Sequence, residues 1–63
     1  MLITNDYAFH QRTGMVGKVI GYGHKVVNNS SFQTLKVLVC EQNQLGKKCF
    51  VIEDLASRWM PMK

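Results

Sequence analysis

The chain is short of acid, proline, cysteine and long apolar runs, and each shortage removes a class of protein. Four Asp and Glu stand against eight Lys and Arg in 63 residues, a formal net charge of +4. So few carboxylates leave little material for paired acid–base chemistry. The adjacent Glu53 and Asp54 would point to opposite faces of a strand and cannot act as a pair. No Ser–His–Asp spacing supports a nucleophile either, so no catalytic residue is assigned and no enzyme is expected. No run approaches the ~18 apolar residues of a membrane-spanning helix, and no membrane partner is expected. The opening MLITNDYAFHQR lacks the basic and apolar regions of a secretory signal, which makes the cytoplasm the expected location.

Cysteine and histidine are scarce too. His10, His24, Cys40 and Cys49 follow one another at spacings of 14, 16 and 9 residues, unlike any finger-type zinc site. No metal or cofactor is expected, and both imidazoles read as surface or half-exposed groups. The two cysteines are too few for a disulfide framework, and a reducing compartment favours two free, packed thiols. A redox-sensitive bridge is the alternative, if the strands flanking residues 41–48 pair in register.

What remains is rich in strand formers. Hydrophobic residues make up 46% of the chain and charged residues 19%, a globular balance. MVGKVIGYGHKVV is β-branched and glycine-interrupted; the turn formers NNSS follow at 28–31. FQTLKVLVCE alternates with a period of two, placing Leu35, Val37 and Val39 on one face. QNQLGKK, 42–48, reads as a second turn. CFVIED is a further strand with Phe50 and Ile52 inward. LASRW suits a single 3₁₀ turn with Asp54 as its cap, and Pro61 confines MPMK to an edge. Residues 1–12 carry no periodicity and read as an irregular arm.

GKVIGYGHKVV poses the main question of chemistry. A P-loop needs a lysine and a hydroxyl residue opening a helix, but Val19 follows Lys18 here. A dinucleotide fingerprint needs a third glycine inside a βαβ unit, and His24 and Lys25 stand in its place. Gly17, Gly21 and Gly23 therefore read as curvature in a coiled strand, with Val19 in the core.

TGMVGKVIGY, LKVLV and FVIEDLASRW together resemble SH3-like β-barrels, the group that includes KOW-type and related small bacterial barrels. The resemblance spans Thr13 to Trp59. It implies an all-β fold: one small SH3-like barrel domain over 1–63, of about five short strands with a single 3₁₀ turn near the C-terminus. GKVIGY is also similar to the G-x-I-V-G-W strand of type II dihydrofolate reductases, whose four chains build one pore. The Val-Gln-Ile-Tyr pore motif of those enzymes has no counterpart, since FVIEDL occupies that place. A reductase-like oligomer is thus a remote alternative.

The basic excess points to a polyanionic partner. Lys18, Tyr22, His24, Lys25, Lys36, Lys47, Lys48, Arg58 and Trp59 form the candidate surface: cations for phosphates, rings for stacking. The function expected is weak binding of RNA or DNA. In the bland reading the rings close the barrel ends and the lysines are solvated. The rival function is docking on an acidic protein, with Tyr7, Phe9 and Trp59 as anchors. A chain this short buries only ~60% of its unfolded surface, so self-association as a homo-oligomer, for instance through the aromatic arm, is a further expectation.

Overall fold

The computed structural model of the chain describes residues 2–62, which form one all-β sheet with a single 3₁₀ turn. Strand β1 is Tyr7–His10, β2 Val16–Val27, β3 Ser30–Asn43, β4 Gly46–Leu55 and β5 Trp59–Pro61; the 3₁₀ turn is Ala56–Arg58. All pairings are antiparallel, in the order β4-β3-β2-β1-β5. The segment expected as an irregular arm over 1–12 supplies β1, which lies between β2 and β5. Four residues are too few to show a period in the sequence.

No ladder joins β4 to β5 among the described residues, so pairing leaves the sheet open rather than closed into a barrel. The sheet is nevertheless strongly curled. His10 on β1 and Asp54 on β4 lie three places apart in the strand order, yet His10 Nε2 lies 2.7 Å from Asp54 Oδ2. The concave face holds the core: Ala8, Val19, Leu35, Val37, Val39 and Trp59, with Leu2, Met15, Phe50, Ile52 and Ala56 packed around it. Every expected inward residue of β3 and β4 is among them.

Curvature has a local cause. β2 pairs with β3 as Lys18↔Leu38 and Val19↔Val37, then resumes at Gly21↔Lys36, so Ile20 is an extra residue in a bulge. A bulge sharpens the twist and bends the strand that carries it. Gly17 and Gly23 have a different task. A Cβ on Gly17 would run into the Leu38 carbonyl, and one on Gly23 into the Glu53 carboxylate and the Thr34 hydroxyl. They permit close approach; only Gly21 borders the bend.

Both ends of β3 extend beyond the core as hairpin arms. Asn28 and Asn29 close the β2–β3 arm with φ of 52° and 66°, the paired positive values of a type I′ turn. Ser30 and Ser31, expected in the turn, already pair with Val27 and Val26. Gln44 and Leu45 close the β3–β4 arm, with Gly46 at φ 127° and the Asn43 Oδ1 accepting the Leu45 N–H at 2.8 Å. These arms stretch the molecule to 44 × 23 × 19 Å. Its radius of gyration is 12.5 Å, against ~10.6 Å for a compact chain of this length.

Candidate nucleic-acid interface

Facing residues of an antiparallel pair share a side of the sheet, so the register sorts the candidate residues by face. Lys18 faces Tyr7 on β1 and Leu38 on β3, and Leu38 faces Val51 on β4. Lys36 lies between Gly21 and Glu53, Lys25 faces Phe32, and Lys47 faces Gln42. Lys18, Lys25, Lys36 and Lys47 therefore share the convex face, away from the core.

Tyr22 and His24 do not join them. Unbroken alternation would put Lys18, Tyr22 and His24 on one side. The extra residue Ile20 reverses the parity, so Tyr22 pairs with the core residue Leu35 and His24 with Gln33, on the concave side. Lys48, paired with Glu41, also belongs to the concave side. Arg58 ends the 3₁₀ turn. Trp59 is 3% exposed and lies in the core, so its ring offers no free surface for stacking. Gly21 is the residue that marks the bulge in the sequence, and its consequence is a reversal of parity rather than smooth curvature.

The convex face also carries apolar side chains. Tyr7 is 53% exposed, and Val16, Val51 and Met60 are exposed near it. Lys18 Nζ lies 5.8 Å from the centre of the Tyr7 ring, within reach of a cation–π contact. A groove of about 350 Å³ runs between Tyr7, Val16, Gly17, Lys18, Leu38, Cys40 and Lys47. The concave side has its own cleft, about 240 Å³, bordered by Leu2, Tyr22, Gln33, Leu35, Ala56, Trp59 and Pro61 and by no charged side chain. There the Tyr22 hydroxyl donates to the Leu2 carbonyl at 3.2 Å.

Cys40 and Cys49 face each other across β3 and β4 and are joined by a disulfide, replacing the favoured reading of two free thiols. The condition attached to the alternative, pairing in register around residues 41–48, is the one the strands meet. Cys40 borders the groove, and both cysteines are exposed.

His10 is 4% exposed, not the surface imidazole expected. Its Nδ1 accepts the backbone N–H groups of Arg12 at 3.2 Å and Thr13 at 3.4 Å, leaving Nε2 to donate to Asp54. The Trp59 ring meets the imidazole edge-on at 4.8 Å. That His10 hydrogen bond, helped by the Leu55 N–H, holds the Asp54 carboxyl below the usual carboxylate range. Asp54 is not the expected cap: the residue before the 3₁₀ turn is Leu55, and no side chain caps it. Glu53 faces Lys36 and accepts the Thr34 hydroxyl at 2.6 Å. With its nitrogens engaged, His10 acts as a strut between strands. No set of three or more His, Cys, Asp or Glu converges as a metal site among the described residues.

No protein-family model, curated protein or solved structure matches this chain.

Proposed function

We propose that this chain is a non-enzymatic, SH3-like small barrel that binds RNA or DNA weakly through the convex face of its sheet. One observation carries the reading: the register collects Lys18, Lys25, Lys36 and Lys47 on that face, where Glu53 opposite Lys36 is the one carboxylate in the same rows. The formal charge of +4 has the same sign. Tyr22, His24 and Lys48 are on the opposite, concave side and Arg58 ends the 3₁₀ turn, so none of the four is counted in this face. The strand order, with a 3₁₀ turn before the last strand, supports the barrel resemblance. The cytoplasm is the compartment proposed, where the exposed Cys40–Cys49 bridge would be redox-sensitive rather than a permanent staple.

Fluorescence anisotropy with labelled RNA and DNA across a salt series tests the reading. Four neutralised phosphates give a slope of log affinity on log salt of about −3 to −4, so affinity falls roughly 50–150-fold between about 50 and 200 mM salt. No binding to either polymer at low salt would overturn it.

Docking on an acidic protein is the second reading, favoured by the exposed Tyr7, Val16, Val51 and Met60 on the same face. Trp59, buried, is not an anchor for it. A nuclease-resistant partner in a pull-down supports docking; co-purifying nucleic acid supports the first.

A further inference from the structure

We propose that the convex groove holds one unpaired base of a single-stranded nucleic acid, between Tyr7, Val16 and Leu38, with Lys18 and Lys47 against the flanking phosphates. The proposal rests on the nucleic-acid reading above and narrows it to a strand type and a binding position. It also brings in Tyr7, which the sequence offers only as a protein anchor.

Two features of the groove point to this ligand. Its border combines apolar surface from Tyr7, Val16, Leu38 and the Cys40 side of the disulfide with two lysines, and it includes no carboxylate. Tyr7 is half exposed and the Lys18 ammonium lies over one face of its ring, so a base stacking on the other face would have a phosphate-binding charge within one nucleotide's reach. A duplex keeps its bases stacked inward and offers such a groove only its backbone; an unpaired base can turn out and enter. The concave cleft, although apolar, is bordered by no cation and does not match a polyanion. Charge also disfavours a two-fold pairing of this face with a second copy, which would bring its own Lys18 and Lys47 to the same place.

Anisotropy titrations at about 50 mM salt compare a labelled oligothymidylate of about 12 nucleotides with a duplex of equal length. The single strand is expected to bind about tenfold tighter or more. Tyr7→Leu keeps an apolar side chain but removes the ring; it should weaken single-strand binding about 5–100-fold and leave duplex binding within about twofold. Circular dichroism establishes that the variant is folded. Ultraviolet cross-linking of the unmodified protein to the oligothymidylate gives a second readout needing no variant, with adducts expected at Tyr7 or its groove neighbours.

Equal affinity for both polymers with no effect of Tyr7→Leu, or adducts confined to the concave cleft, would overturn the base site and leave the broader nucleic-acid reading standing. Binding to neither polymer overturns both. Sedimentation that finds a dimer dissolved by Tyr7→Leu assigns the groove to a second copy, and an acidic peptide outcompeting the oligonucleotide assigns it to a protein. Either result overturns the proposal.

Discussion

β3 carries a hairpin arm at each end, and the two arms are held shut by different means. The β2–β3 arm relies on backbone geometry, with Asn28 and Asn29 both in the left-handed region. Its side chains add little burial: Val26 is 72% exposed, and Phe32 is exposed across from Lys25. The β3–β4 arm ends in a turn with no such demand on Gln44 and Leu45, and has a covalent tie between Cys40 and Cys49 instead. Between the arms, residues 34–39 of β3 carry the packed core. The arms are therefore local solutions, while the buried apolar side chains are concentrated at the centre.

The harshest test of that division is to remove the centre. Trp59→Ala is expected to cost about 3–5 kcal/mol. A chain of this length has about 3–9 kcal/mol of total stability, so much of the protein should unfold in urea denaturation. The matched change on an arm, Phe32→Ala, should cost no more than about 1 kcal/mol. Equal losses would show that the arms are as integral as the core.

Reduction of the disulfide comes next. Cys40 and Cys49 are 9 residues apart, and closing a loop of that size is worth at most about 2.5 kcal/mol by the chain-entropy estimate. The hairpin turn already restricts the loop, so the loss should fall below that figure. At about 4–8 °C per kcal/mol, a thermal melt with and without a thiol reductant resolves it. An unchanged melt would leave the two arms energetically alike.

Turn geometry is the third lever. Asn29→Val puts a β-branched residue at φ 66° and should cost about 1–2 kcal/mol. Leu45→Val places the same side chain at a position 98% exposed without a positive φ, and should be neutral within about 0.5 kcal/mol. The ratio of the two losses measures how far the first arm depends on its turn.

These elements also show which parts of the molecule its sequence makes legible. The alternation of Leu35, Val37 and Val39, the inward Phe50 and Ile52, the 3₁₀ turn and the edge position of Pro61 all follow from local patterns, and the structure has each of them. Long-range contacts leave no local pattern in the sequence. β1 is too short to carry a period, the His10–Asp54 contact spans 44 positions, and the disulfide depends on a register set by the turn. At the candidate site one residue mattered most. Ile20 reverses the face of everything after it on β2, so Tyr22 and His24 leave the lysine face and Lys25 joins it.

Acid provides the mildest test, because it acts on the curl of the sheet and on neither arm. Asp54 has its folded-state pKa lowered, first by the His10 hydrogen bond and then by the Leu55 N–H. A carboxyl shifted this way contributes stability that is fully present above its unfolded pKa, about 4, and is lost as pH falls through the lower folded value. Stability should therefore decline below about pH 4, as the proton taken up by Asp54 weakens the hydrogen bond from His10. The loss is expected to be smaller than those from Trp59→Ala, disulfide reduction and Asn29→Val, since the Asp54 side chain is one-third exposed and partly screened by solvent. Asp54→Asn keeps the shape and removes the titration, so its denaturation midpoint should vary less with pH across that window than that of the unmodified chain. Identical acid profiles for the two would show that the β1–β4 contact adds nothing, leaving the packed centre alone to hold the curl.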